Sequence, residues 1–310
     1  MARRKKGVPV HGWLNIDKPI GMTSNQVIGR VRRILDAQKL GHAGTLDPLA
    51  TGILPIALGE ATKTIQYAQE HDKVYRFTAT WGEARTTDDC EGEVTAQSAS
   101  RPTRAEIEAL IPRFVGEIEQ VPPQFSAIKI DGERAYALAR AGEAVDIKSR
   151  PVTVYDLRLI STDTDTATFE MECGKGTYVR SVARDMGQIL GCFGHVSVLR
   201  RLAVGYFSEE TAISLDALEE MVVSSPPDRY LLPVETVLDD IPALALTAAE
   251  IGRIRQGQSI RLLSRQDIAR LDDAAVAEAG DMVLALGDNT PLAILRKDGV
   301  DLHPVRVFNL

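Results

Sequence analysis

The chain has 310 residues, 44% of them hydrophobic, with 36 Lys or Arg against 43 Asp or Glu and a net charge of −7. That length supplies one large or two ordinary domains with a proper core, and no apolar run approaches the ~20 residues a membrane-crossing helix needs. The start, MARRKKG, runs into polar sequence without the apolar core of a secretory signal, so the cytoplasm is the expected compartment. Three cysteines, Cys90, Cys173 and Cys192, are odd in number and lack CxxC spacing, which argues against a disulfide framework and a zinc site. The acidity is uneven: residues 1–40 carry nine Lys or Arg against two acids, residues 208–310 nine against eighteen. A basic front end can steer a polyanion even on an acidic molecule, because distant exposed charges are screened, although RRKK fits a solvated tail as well.

After a basic tail, residues 1–9, GWLNID reads as a strand and KPIGM as a Pro/Gly turn. Thr23 or Ser24 then caps a helix whose apolar stripe is Val27, Val31, Ile34 and Leu35, with Arg30, Arg32 and Arg33 off the stripe. Gly41 is expected to end that helix and open GHAGTLDPLATGILPIALGEATK. Gly41, Gly44, Pro48, Gly52 and Pro55 make this a shaped loop. At its centre stands Asp47, whose nearest acids in sequence are Asp36 and Glu60. Pro48 pushes Asp47 away from helical angles, so the carboxylate is presented rather than packed. On the residues alone, a tight turn capped by Asp47 is the better fit. Beyond it the chain turns apolar and then helical.

Residues 73–95 begin with an alternating strand, in which Tyr75, Phe77, Ala79 and Trp81 share one face, and end in an acidic turn around Asp89. Thr103 and Glu106 form a capping box ahead of the helical stripe Ile107, Leu110, Ile111 and Phe114. An extended segment, a DG turn and a helix follow over about 120–150, with Lys129, Arg134 and Arg140 suited to phosphates. PVTVYDLRLI and TATFEMEC are strands, and a helix is expected near Ser181. Tyr178 and Arg180, two apart on an extended run, then point to one face. Gly174, Lys175 and Gly176 lack the Walker spacing, which excludes a nucleotide site. A strand over HVSVLRRLAVGYF, a helix over LDALEEMVV and a Ser-Ser-Pro-Pro break lead to a boundary near 238/239. The rest reads as a small β-barrel of SIRLL, MVLALG, PLAILRK and HPVRVF.

GHAGTLDPLATGILPIALGEATK closely resembles the signature of the bacterial tRNA pseudouridine synthase B (TruB) family, GHxGTLDPxAxGxLPxxxGxATK, with Ala43 where many members carry Thr. DKPIGMTS, the TxDxxG turn holding Asp89, CGKGTYVRSVARDMG and HVSVLRRLAVGYF resemble further motifs of the family, so the resemblance covers about residues 10–207. It implies an α+β catalytic domain over 10–238, with a mixed, mainly antiparallel central sheet flanked by helices. A mobile RNA-covering insertion at about 120–150 and a PUA-like β-barrel over 239–310 complete the expectation.

For the site, the resemblance implies that Asp47 is the catalytic nucleophile and that Arg180 pairs with it. His42 displaces the target base, Tyr75 stacks on it, Tyr178 packs beside it and Leu199 lines the pocket, while Lys18 belongs to the substrate-binding set. The implied activity is isomerisation of uridine to pseudouridine in the T-loop of tRNA, position 55 in standard tRNA numbering. Base flipping precedes the chemistry, and the enzyme is expected to be a monomer using neither cofactor nor metal. The alternative is a non-catalytic tRNA-binding or folding protein on the same fold. An Asp-dependent phosphohydrolase would need clustered carboxylates, which Asp47 lacks in sequence.

Overall fold

The structure, a computed structural model, describes residues 7–126, 129–130, 133–134 and 147–310, with backbone alone at 129–130 and 133–134. Arg3, Arg4, Lys5, Lys6 and Arg140, and the side chains of Lys129 and Arg134, lie outside the described residues.

The main body opens with β1 (Gly12–Lys18), α1 (Ser24–Leu35), β2 (Leu40–His42), β3 (Thr51–Leu58), α2 (Ile65–Glu70), β4 (Lys73–Trp81), β5 (Glu83–Arg85) and β6 (Val94–Gln97). It continues through α3 (Arg104–Leu110), β7 (Gly116–Gln120), β8 (Lys129–Ile130), β9 (Glu133–Arg134), β10 (Arg150–Thr162), β11 (Thr166–Cys173), α4 (Val179–Ile189), β12 (Gly194–Val204), β13 (Phe207–Ser208) and α5 (Leu215–Ser224). The main sheet runs β1-β3-β12-β4-β11-β10-β7, with β2 on β3 and β13 on β12. All its pairings are antiparallel except β3 with β12. β3, TGILPIAL, is buried along nearly its whole length, as a near-continuous apolar run at the centre of a covered sheet should be.

Two local readings are corrected. Thr23, with Gln26, forms the capping box of α1, but the helix ends at Leu35 on Asp36, whose φ of 44° is left-handed. A short polar side chain tolerates that conformation, so Gly41 is not the stop and lies in β2 instead. Pro55 does not break structure: it sits inside β3 opposite Asn15, and its carbonyl accepts the Ala43 N–H at 3.0 Å.

The C-terminal part contains β14 (Ala243–Ala245), α6 (Ala248–Arg255), β15 (Ile260–Arg261), α7 (Arg265–Ile268), α8 (Asp273–Glu278), β16 (Met282–Gly287), β17 (Thr290–Asp298) and β18 (Asp301–Val307). Its five strands, in the order β14-β16-β17-β18-β15, curl into a half-barrel. The four strand candidates are present, whereas β14 and the three short helices carry too little periodic pattern to be read. Residues 7–9 are held by the body, since Val8 bridges Ala37. At the other end Leu284, Ile294 and Phe308 share an apolar cluster with Trp13, Ala57 and Phe207 of the body. Lys63 Nζ donates to the Val307 carbonyl at 2.7 Å and the Asn309 N–H to Glu60 at 2.9 Å, so the half-barrel is sealed onto the segment following β3.

Candidate active site

Asp47 lies in the connection from β2 to β3, and a set of hydrogen bonds fixes that connection. Ser24, at the start of α1, donates its hydroxyl to the Leu46 carbonyl and accepts the Leu46 N–H, at 3.1 and 2.9 Å. The Ala50 N–H closes a turn on the Asp47 carbonyl at 3.1 Å. Lys18 Nζ reaches the Pro48 carbonyl at 3.3 Å, and Arg201 donates to the Gly44 carbonyl at 3.1 Å. Gly52 is required where the loop re-enters the sheet: its φ is +97°, and a Cβ there would stand 2.1 Å from the Arg201 carbonyl oxygen. These bonds hold the loop's backbone on either side of the Asp47 carboxylate.

Arg180 meets Asp47 directly, Nε to Oδ2 at 3.0 Å, with the Arg side chain 5% exposed and the Asp side chain 35%. The same guanidinium lies 3.4 Å from Asp89 and donates to the Thr87 and Phe125 carbonyls at 2.7 and 2.9 Å. Arg180 therefore stands between two carboxylates. Arg184, one helical turn further along α4, pairs with Asp88 at 2.9 Å and donates to the Val121 carbonyl at 2.8 Å. Together the two arginines tie the 87–89 turn and the 121–125 segment to α4.

The electrostatics follow from burial. Removal from water pushes the Asp47 pKa up, the Arg180 cation pulls it down, nearby Asp89 raises it again and Lys18 lowers it. Lys18 is fully buried and donates only to carbonyls, those of Pro19, Met22 and Pro48. Burial brings its amine down to about 8, against the opposing pull of Asp47.

A face of the main sheet lies near this cluster. On β4 and β12, Tyr75 stands opposite Arg201 and Phe77 opposite Leu199, so all four share a sheet face. Leu199 is buried and Tyr75 partly so; burial raises the Tyr75 hydroxyl pKa and the Arg201 cation opposes this. A register irregularity between Arg201 and Ala203 bends β12 here, and the fully buried Arg201 donates Nε–H to the Ile53 carbonyl at 2.7 Å. Tyr178 is the N-cap of α4, held at both backbone groups by Gln120, at 2.7 and 3.2 Å, with the Arg150 guanidinium 5.3 Å from its ring centre. His42 closes β2, partly exposed, opposite Ile56.

Of the seven residues singled out from the sequence, Arg180 touches Asp47, Lys18 touches the residue after it and His42 leads into its loop, while Tyr75 and Leu199 share one face of β4 and β12 and Tyr178 stands two residues before Arg180. Two points of reasoning are corrected. Tyr178 and Arg180 are not alternate residues of a strand, because α4 begins at Val179 and Arg180 occupies its first turn. Asp47 is isolated only in sequence, since Asp89 shares its arginine. Arg201 was given no role of its own, Ser24 was read only as a possible helix cap, and Asp89 only as a turn position. The signals were slight: Arg201 is two residues beyond Leu199 and so on its face, and Ser24 is the hydroxyl next to the true cap.

Residues 32–179 match the family model of the TruB family pseudouridylate synthase N-terminal domain. Residues 180–239 match that of the tRNA pseudouridylate synthase B C-terminal domain. Solved structures similar in fold include an H/ACA ribonucleoprotein bound to a substrate RNA containing 2′-deoxyuridine, with a TM-score of 0.71 at 21% identity over 100% of this chain and 92% of that one. A Cbf5-Nop10-Gar1 complex is similar with a TM-score of 0.72 at 23% identity over 96% and 85%. Fold and family match together define the class, a pseudouridylate synthase, which is an isomerase. Proteins named tRNA pseudouridine synthase B from Caulobacter vibrioides and Rhodospirillum rubrum are 52% and 50% identical to this chain, each over 311 residues and the full length of both partners. The chain belongs to the TruB family of tRNA pseudouridine synthases.

Proposed function

We propose that this protein converts uridine to pseudouridine at position 55 in the T-loop of tRNA, with Asp47 as the reactive carboxylate. The observation that carries the reading is the Asp47–Arg180 pair at 3.0 Å, held on a fixed loop beside a partly open aromatic and aliphatic wall. The reaction breaks one C–N bond and makes one C–C bond on the same ring, with no net redox change, so its essential demands are a positioned acid-base or nucleophilic group and a pocket that orients the ring. Asp47 supplies the first. Arg180 keeps it charged and aimed despite burial, while Asp89 holds Arg180 from the other side.

The target base leaves its stack at a cost of a few kcal/mol, and the pocket must return that stabilisation. Tyr75 offers a ring face, Tyr178 a second aromatic surface and Leu199 an apolar floor, while His42 fills the space the base vacates. Lys18 works from beneath, holding the loop through the Pro48 carbonyl. The relatives' name, tRNA pseudouridine synthase B, and their full-length similarity support tRNA as the substrate; we expect the protein to act in the cytoplasm. We expect a monomer that works without metal or cofactor.

The test is incubation of the purified protein with an unmodified tRNA transcript, followed by pseudouridine mapping. A single new pseudouridine in the T-loop is expected. Tight tRNA binding with no pseudouridine would instead favour the non-catalytic binder.

A further inference from the structure

The loop that presents Asp47 is bounded by two glycines, and both lie against one residue of the neighbouring strand. Gly44 and Gly52 have φ of +98° and +97°, a region that side chains of L-residues rarely adopt. A Cβ at Gly44 would stand 3.2 Å from Arg201 Nη1, and one at Gly52 would stand 2.1 Å from the Arg201 carbonyl oxygen. Arg201 also donates Nη2–H to the Gly44 carbonyl at 3.1 Å and Nε–H to the Ile53 carbonyl at 2.7 Å. One planar guanidinium thus closes the loop at its entry and at its exit. Among the described residues no carboxylate pairs with this cation, although Arg201 is only 1% exposed. Burying a charge without a counter-charge is costly, and here the bonds that offset the cost all go to the segment carrying Asp47.

Across the sheet Arg201 stands directly opposite Tyr75 on β4, and on its other side it is the partner of Gly52 in β3. Burial raises the Tyr75 hydroxyl pKa, and the Arg201 cation is near enough to oppose that rise. Arg201 is therefore the point at which the carboxylate loop and the strand bearing Tyr75 meet. A plain structural anchor accounts for the burial but not for the side chain. An apolar residue would hold β12 between β3 and β4 with less desolvation, and a lysine ammonium lacks the rigid fork that reaches two carbonyls at once. We propose that Arg201 is a positioning residue: gripping the Asp47 loop at both ends from the strand position facing Tyr75, it fixes the reactive carboxylate relative to the ring on which the base rests. The inference rests on the function proposed above. In this role Arg201 acts through Asp47 and Tyr75 and not on the base itself.

The test compares wild-type protein with Arg201→Met and Arg201→Lys, and with Leu218→Ala, a truncation of a fully buried core residue in α5 that controls for lost stability alone. Each is assayed on unmodified tRNA, at a temperature where it is folded, for RNA affinity and for the single-turnover rate at saturating protein. Amide exchange is followed at Leu46 and Ala50, whose N–H groups bond Ser24 Oγ and the Asp47 carbonyl. Arg201→Met is expected to lose about 10²-fold in rate, the scale of an ångström-sized misplacement, with affinity nearly unchanged and exchange at both amides faster. Arg201→Lys should lose less, because its ammonium regains one of the two carbonyls, and Leu218→Ala should keep the wild-type rate. If Arg201→Met does not fold, Arg201→Lys carries the same comparison. A wild-type rate in Arg201→Met, or in Arg201→Lys where it alone folds, overturns the positioning role and leaves the proposed reaction standing. So does a loss of affinity as large as the loss of rate, or an equal loss of rate in Leu218→Ala. A wild-type protein that makes no pseudouridine overturns the reaction instead, and exchange then decides the grip on the loop: faster exchange at Leu46 and Ala50 in the Arg201 variants upholds it, and unchanged exchange overturns it.

Discussion

The catalytic body and the C-terminal half-barrel are built on opposite electrostatic plans. Every buried polar or charged side chain among the described residues lies between Asn15 and Arg201, and they include Lys18, Lys73, Asp89, Arg180 and Arg201. The half-barrel core is Leu244, Ile254, Ile260, Val283, Leu295 and similar residues throughout, and its ion pairs, such as Arg261 with Asp301, stand at the surface. Buried ions are an inefficient way to stabilise a fold, because desolvation cancels most of their attraction. Their concentration around Asp47 shows where the chain has exchanged stability for a charged, oriented site. The half-barrel is an ordinary hydrophobic unit packed on the segment that follows β3.

The comparison breaks most sharply at Asp47. Asp47→Asn keeps shape and removes charge, so folding should persist and tRNA affinity stay equal or improve, because a carboxylate near phosphate is repulsive. Pseudouridine formation should fall by at least ~10⁴-fold, the scale for loss of a reactive group. Binding and product yield are measured on the same preparation. Substantial remaining turnover would reduce Asp47 to a turn-capping residue, worth about 1 kcal/mol.

Next in size is Arg180→Met. It leaves Asp47 and Asp89 facing each other in the interior without their shared cation, and both turnover and stability should drop, the latter by about 3–5 kcal/mol. Arg261→Met in the half-barrel, whose side chain is 65% exposed, should leave both unfolding and turnover where they were. Parallel denaturation of the two variants tests the contrast; equal losses would dissolve it.

Leu295→Ala should cost about 3 kcal/mol through the cavity it opens in the small core. The single-turnover rate at saturating enzyme should remain near wild type, since no site residue lies there. A chemically dead yet folded Leu295→Ala protein would tie the half-barrel to the site more closely than its shared apolar seam suggests.

The smallest effect is a pH dependence. Lys18 titrates at about 8 in the folded protein against 10.5 for a lysine in water, so the unfolded chain binds the extra proton in between. The lysine's contribution to stability is therefore complete above 10.5 and is lost as pH falls through about 8. The melting temperature of wild type relative to Lys18→Met should rise across that window. A flat difference would mean that the amine is solvated rather than buried.

Local chemistry made much of this protein legible in one dimension. Thr103 with Glu106 caps α3, the alternation of Tyr75 and Phe77 fixes the faces of β4, and the Gly- and Pro-rich run around Asp47 marks a shaped loop, because each depends on neighbours within a few residues. The same locality explains the errors. Asp36 ends α1 through a left-handed conformation that composition does not demand, and α4 starts two residues earlier than expected because Gln120, nearly sixty residues away, holds its cap. The placing of Asp89 on Arg180 and of Arg201 under Gly44 belongs wholly to the tertiary structure, since each joins segments more than ninety residues apart. The sequence by itself determined that a carboxylate without acidic neighbours stands on a Gly- and Pro-rich connection, and its motif singled that residue out as the candidate for the chemistry. Only the packing of β12 between β3 and β4, and of α4 against the 87–89 turn, decided which buried cations surround that carboxylate, because Coulomb interactions in a dry interior depend on distance in space and not along the chain.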